Sequence, residues 1–237
     1  MTQPVSSKQG LSGLLVVDKP LGWTSMDVVR LVRRRAGGTK TGHAGTLDPL
    51  ATGVLVCCLG RVTKAVPHLM GLTKVYEATV DLSAFTDTDD REGGRIEVSV
   101  ETAPDEVALR EAVEFFVGSI EQRPPAYSAV HVGGRRAYER ARRGETMDLP
   151  PRVVTVNAIE FLEYVWPIAR LRITCGKGTY IRSLARDLGR RLGTGGHLHA
   201  LRRTAVGSYD LSLAVDVEEM KRKIITQSDL HAPPEDA

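Results

Sequence analysis

Gly42-His43-Ala44-Gly45-Thr46-Leu47-Asp48-Pro49-Leu50-Ala51-Thr52-Gly53 is the stretch on which the reading of this chain turns. Asp48 is its only carboxylate. Gly42, Gly45 and Gly53 permit backbone angles and close approaches that a side chain would forbid. Pro49 biases Asp48 away from helical angles and supplies no backbone donor. The apolar run Val54-Leu55-Val56-Cys57-Cys58-Leu59 follows and predicts a buried strand. A carboxylate therefore sits on a tight loop that leads straight into the core. A turn aspartate bonding its own backbone fits this loop, and so does a catalytic one.

The rest of the chain frames that loop. Its 237 residues, 42% hydrophobic and 26% charged, suit a soluble globular protein with a substantial core. The apolar runs are too short to span a bilayer, and no signal-peptide pattern opens the chain. Cys57, Cys58 and Cys175 lie in apolar stretches without metal-ligand spacing, which predicts buried free thiols and no metal site. The net charge is only +3, but it is unevenly spread. Residues 81–121 hold 12 acidic and 3 basic side chains, whereas residues 123–203 hold 16 basic and 6 acidic. The basic half is nearly all arginine, whose planar fork suits phosphate. A polyanion partner and a set of solvated helix faces both fit that pattern.

In chain order, Leu14–Val17 predicts a short strand. A helix follows from Thr24 or Ser25, with capping-box spacing at Thr24 and Asp27, an inner face of Val28, Val29, Leu31 and Val32, and a stop at Gly37-Gly38. Thr73–Leu82 predicts a strand, and Thr86-Asp87-Thr88-Asp89-Asp90 an acidic loop without the spacing of a calcium site. An acidic helix is expected from Asp105 to Gly118. Arg123-Pro124-Pro125-Ala126-Tyr127-Ser128-Ala129 is extended and leads to an arginine-rich helix ending at Gly144. Two strands are expected at Val153–Phe161 and Ile168–Cys175. Ile181, Leu184, Ala185, Leu188 and Leu192 mark the best helix, on which Arg182, Arg186 and Arg190 form one charged stripe. A last strand is expected near Val206–Leu211.

These motifs resemble the bacterial tRNA pseudouridine-55 synthases of the TruB type. The resemblance rests on Gly13–Pro20, Gly42–Gly53, Lys74-Val75-Tyr76, Thr86-Asp87-Thr88, Pro125–Ala129, Arg135–Tyr138, Gly178–Arg182 and Leu201-Arg202-Arg203, in family order. It implies an α+β pseudouridine synthase fold: a central, mainly antiparallel mixed sheet with flanking helices and an inserted RNA-binding arm at about 123–152. The expected organisation is a flexible tail over 1–12, a catalytic domain over 13–214, and a helix and polar tail over 215–237 in place of the usual full C-terminal RNA-binding domain.

The implied activity is isomerisation of uridine 55 in the tRNA T-loop, without cofactor or metal, in a cytoplasmic monomer. The rival expectation is a non-catalytic tRNA-binding or RNA-folding module on the same scaffold. By the resemblance, Asp48 is the catalytic carboxylate, Tyr76 stacks on the target base, and Arg182 pairs with Asp48. Tyr180 and Leu201 wall the uracil pocket, and His43 fills the gap left by the extruded nucleotide. Lys19, Lys64 and the arginines of residues 135–143 are expected on phosphates. Without the resemblance, Tyr76 fits an ordinary half-buried strand tyrosine, and Arg182 a helix-surface arginine. The chain departs from the family pattern at His131, where lysine is common, and at Leu82-Ser83-Ala84-Phe85, which replaces a glycine-containing turn.

Overall fold

In a computed structural model, residues 10–127, 131–132, 135–136 and 149–234 are described. The elements are β1 (Gly13–Lys19), α1 (Ser25–Arg35), β2 (Thr41–His43), β3 (Ala51–Leu59), α2 (Val66–Gly71), β4 (Lys74–Asp81), β5 (Ala84–Thr86), β6 (Arg95–Glu97), α3 (Glu106–Glu114), β7 (Gly118–Gln122), β8 (His131–Val132), β9 (Arg135–Arg136), β10 (Arg152–Val165), β11 (Ile168–Cys175), α4 (Ile181–Leu192), β12 (His197–Val206), β13 (Tyr209–Asp210), β14 (Val215–Asp216) and α5 (Val217–Met220). The class is α+β, with mainly antiparallel pairing. The arginine-rich helix expected up to Gly144 lies outside the described residues, apart from the backbone of the β8–β9 pair.

The chain forms two compact units. One runs to Leu72 and takes the chain up again from Ala205; the other spans Thr73–Thr204. In the first unit, β1 lies between β3, antiparallel, and β14, parallel. Leu15, Val17, Leu55, Cys57 and Leu59 face α1, Val217, Met220 and Ile225 on one side. Leu14, Val16, Val54, Val56 and Cys58 face Ala65, Leu69 and Tyr209 on the other. Both faces of β1 and β3 are covered, which is why these strands read as continuous apolar runs rather than as alternation. The segment after Ala214, expected as a helix and a tail, contributes β14 and α5 to this core.

α1 begins where its cap predicts. The Thr24 side chain accepts from Asp27 N, and Asp27 returns a bond to Thr24 N. Val28, Val29, Leu31 and Val32 are buried, and the chain turns off through left-handed glycines at Gly37 and Gly38.

In the second unit the strand order is β12-β4-β11-β10-β7. β4 alternates buried and partly exposed positions, as does β11. The wetter face carries cross-strand ion pairs of Arg172 with Glu77 and Glu160, and of Arg170 with Glu163. Being exposed, these contribute little stability. α3 is capped by Asp105 and ends at Glu114, four residues short of Gly118. Within the expected window Val206–Leu211 lies the short β13 (Tyr209–Asp210), which pairs with the end of a longer strand, β12, that already starts at His197, just after the tightly packed Gly195-Gly196. A side chain at Gly196 would meet the Ala185 carbonyl of α4, and one at Gly195 would meet the backbone of Ala84.

All three cysteines are buried. Burial pushes the Cys58 thiol up to about 11 and Cys175 likewise to about 11. Burial, and then the neighbouring Cys58, push Cys57 up further still. The thiolate is the reactive form. Native protein at neutral pH should therefore resist disulfide-exchange reagents, and guanidinium should release three reactive thiols together. Rapid labelling of the native chain would show that the core around β3 opens.

Candidate active-site elements

The first unit holds the Asp48 loop. β2 pairs His43 with Cys57, and Ala44 N donates to Val56 O at 2.9 Å. The chain then leaves the sheet through Gly45, at φ 110°, and re-enters through Gly53, at φ 101°, opposite Lys19 in the ladder. Between them, Leu47 and Leu50 are each 3% exposed, and they flank a half-buried Asp48. Ala51 N closes a turn onto Asp48 O at 3.0 Å. The loop is held from below by Ser25, the first residue of α1. Its hydroxyl accepts from Leu47 N at 2.8 Å and donates to Leu47 O at 3.1 Å.

Lys19, expected on a phosphate, lies at the end of β1. It is fully buried, and its ammonium donates to the carbonyls of Trp23 (2.6 Å), Pro20 (3.0 Å) and Pro49 (3.5 Å). These carbonyls converge at the end of β1 and the start of the Asp48 loop, so Lys19 ties the two together. Gly22 N also donates to Pro49 O at 2.9 Å. Lys64, in contrast, is exposed on a 3-10 turn. His43 is partly buried on β2.

The second unit holds Tyr76, Tyr180, Arg182 and Leu201. Tyr76 lies on the buried face of β4 with Lys74 and Ala78, opposite Ile173 of β11. Burial lowers the pKa of Lys74, and the nearby Arg203, itself 1% exposed, lowers it further. Leu201 is 9% exposed on β12.

Tyr180 is the residue before α4, and it offers no side-chain cap. Gln122 supplies one from β7: its amide oxygen accepts from Tyr180 N at 2.7 Å, and its amide nitrogen donates to Tyr180 O at 3.0 Å. Gln122 is 2% exposed, and nothing in its sequence context singles it out.

The arginine stripe of α4 is not a solvated face. Arg182 is 6% exposed and Arg186 8%. Arg182 donates to Tyr127 O (2.8 Å), Thr88 O (3.2 Å) and Asp90 Oδ2 (3.4 Å). Arg186 donates to Asp89 Oδ2 at 2.6 Å. Burial raises the Asp89 pKa, against the opposing pull of Arg186. Burial acts to lower the Arg186 pKa, but bonds to Asp187 and Asp89 outweigh it and hold the cation. Arg190 alone of the three faces solvent. The acidic loop of residues 86–90 thus meets arginine side chains, and among the described residues no metal-binding cluster forms there.

Comparison with known proteins places this arrangement. The model of the TruB family pseudouridylate synthase N-terminal domain matches residues 33–181, and that of the tRNA pseudouridylate synthase B C-terminal domain matches residues 182–232. The tRNA pseudouridine synthase B of Corynebacterium diphtheriae is 50% identical over 220 residues, covering 89% of this chain and 72% of that protein. The enzyme of the same name from Bordetella pertussis is 45% identical over 217 residues, covering 89% of this chain and 87% of its own length. Among solved structures, a Cbf5-Nop10-Gar1 complex matches with TM-score 0.69 and 29% identity over 90% of this chain and 59% of the other. An H/ACA RNP bound to a substrate RNA matches with TM-score 0.65 and 28% identity over 87% of this chain and 51% of the other.

Ser25→Ala removes the single hydroxyl that satisfies both backbone groups of Leu47. Leaving a buried donor and acceptor unpaired should lower unfolding free energy by about 1–3 kcal/mol. Urea denaturation measures this, and an unchanged midpoint would show that the loop is held by its leucines alone.

Proposed function

The chain belongs to the TruB family of pseudouridylate synthases, and on that premise we propose how its residues carry the reaction. The protein isomerises uridine in tRNA to pseudouridine. We assign the target as uridine 55 of the T-loop, and Asp48 as the carboxylate that assists loss of the base. The observation that carries this is Asp48 itself: a half-buried acid on a loop pinned by Leu47, Leu50 and Ser25, inside the motif that resembles the family's catalytic one.

The isomerisation breaks the bond from ribose C1′ to uracil N1 and forms one from C1′ to C5. The C5 proton is lost and N1 gains one, so no oxidant, reductant or energy source is consumed. Both C1′ and the two faces of the base must be reached, so the nucleotide has to leave its stack, at about a few kcal/mol. Asp48 acts on the sugar, by bonding it or by stabilising the charge that develops there; both routes need the ionised form.

Arg182 takes the role that the resemblance gives it, the guanidinium partner of the catalytic carboxylate. Its bonds to Asp90, Thr88 and Tyr127 support that assignment, since they fix the guanidinium plane in advance. Tyr76 is assigned to stack on the uracil, with a phenol able to accept a proton in later steps. Tyr180 and Leu201 are assigned as pocket walls, and His43 as the side chain that fills the vacated space. Lys64 and the arginine-rich stretch at 135–143 are assigned to phosphates. A non-catalytic RNA-binding module would not need Asp48, Tyr76 and Arg182 together.

Unmodified tRNA transcript incubated with the protein should acquire pseudouridine at position 55, read by mass spectrometry. None at any enzyme concentration would overturn the assignment. Asp48→Asn should abolish turnover while tRNA binding stays within a few-fold; a large loss of binding would mark Asp48 as structural. Affinity for tRNA should also fall steeply with salt, because phosphate contacts release counterions. A flat response would remove the phosphate role of Lys64 and the arginines.

A further inference from the structure

The reaction assigned above uses Arg182, but α4 buries a second arginine one turn later, and that one has no assigned role. Arg186 has every nitrogen of its guanidinium engaged. Nη1 donates to Asp89 Oδ2 (2.6 Å), Nε to Asp187 Oδ1 (2.9 Å), and Nη2 to Asp187 Oδ2 (3.1 Å) and Arg123 O (3.0 Å). Its partner Asp89 sits at φ 61°, a left-handed angle that non-glycine residues seldom adopt. That angle is held from the other side too: Leu198 N donates to Asp89 O, and Arg91 N to Leu198 O, each at 3.0 Å.

Two backbone segments meet Arg182, and Arg186 grips both. The loop of residues 86–90 meets Arg182 through Thr88 O and Asp90, and Arg186 through Asp89. The Asp90 carboxylate is itself aimed by Thr88 Oγ1 (2.7 Å) and Glu92 N (3.1 Å). The segment 123–127 meets Arg182 through Tyr127 O, and Arg186 through Arg123 O. Ser183, between the two arginines, adds a bond to Arg123 O at 2.8 Å. Consecutive acids on one loop thus face successive turns of one helix, so the loop cannot shift against one arginine without shifting against the other.

We infer that Arg186, through Asp89 and the Arg123 carbonyl, is a positioning residue for the isomerisation: it sets the loop and the segment that hold the Arg182 guanidinium. The inference rests on the role assigned to Arg182. A pair that only stabilised the fold would leave the rate at saturation unchanged once the protein is folded.

The experiment uses the full chain and tRNA transcript, with Arg186→Met, Arg186→Lys, Asp89→Asn, the Arg186→Met/Asp89→Asn double variant, and Arg182→Lys as reference. Single-turnover rate at saturating enzyme, tRNA affinity and thermal midpoint are measured for each. Arg186→Met and Asp89→Asn should each lower the saturating rate by about 10- to 100-fold, the loss that follows small misplacement of a reacting group, with affinity within a few-fold. The double variant should be no slower than the slower single variant, because the two side chains act as one unit. Arg186→Lys should recover only part of the rate, since an ammonium lacks the planar fork.

Asp89→Asn keeps shape and tolerates the left-handed angle, so it reads the same pair should Arg186→Met fail to fold. A folded Arg186→Met or Asp89→Asn variant at the wild-type rate, a loss confined to affinity, or losses that multiply in the double variant would each overturn the inference. Arg182→Lys at the wild-type rate would instead overturn the role of Arg182 on which it rests. An impaired Arg182→Lys beside a normal Arg186→Met would remove only the inference.

Discussion

A buried guanidinium has to be paired on nearly every nitrogen, because an uncompensated charge in the interior is strongly destabilising. α4 buries two, four residues apart, and much of the second unit is arranged to satisfy them. The acidic loop supplies Asp89 and Asp90, the segment after β7 supplies the carbonyls of Arg123 and Tyr127, and Asp187 closes the second fork. The same helix is capped from β7 by Gln122 and packs against bare backbone at Gly195-Gly196. Moving α4 would therefore break charge pairs, a cap and a close contact at once. Such a helix is a stiff support for a side chain that has to hold another group in aim.

The first unit reaches the same end without a buried ion pair at its loop backbone. Its loop carries a carboxylate, and its backbone is satisfied by one serine hydroxyl, one lysine ammonium and two turn bonds. Leu47 and Leu50 sink into the core on either side of Asp48. Two buried leucines three residues apart leave the acid little freedom except at its own side chain. Lys19 shows why a charge near a functional loop is ambiguous in sequence. A lysine beside such a loop suits phosphate binding, and it equally suits a set of converging carbonyls.

What was legible in the sequence follows from how local each signal is. α1 was readable to within a residue or two, because its cap, apolar face and glycine stop all lie within fifteen positions. β3 and α4 were readable from their apolar patterns, and the turn before β3 from its glycines and Pro49. The environment of the α4 arginines was not. Helical spacing placed them on one face, but their acids stand 92 and 97 residues away in the chain, so the face looked wet. The tight packing at Gly195-Gly196 has no local signature either, because glycine marks both turns and close approaches, and only the neighbouring backbone decides between them. Gln122 gave no signal at all, since a capping amide from another element has no local pattern.

These features bear on the energetics of base extrusion. Taking a uridine out of its stack costs about a few kcal/mol. Ordering a residue's backbone costs about 1–2 kcal/mol, so a site that ordered even four loop residues on binding would add a cost of similar size or larger. In this protein the loop backbone is already bonded at Leu47, Asp48 and Pro49, Leu47 and Leu50 are buried, and the Arg182 guanidinium is already held. On the proposed reading, binding energy would then go to extracting the nucleotide rather than to building the groups that receive it. This explains why so many of the side chains that hold the candidate residues make no use of charge in solvent. Ser25, Lys19, Gln122, Asp89 and Arg186 are all buried, and each fixes backbone or a guanidinium next to a residue to which the proposed reaction assigns a role.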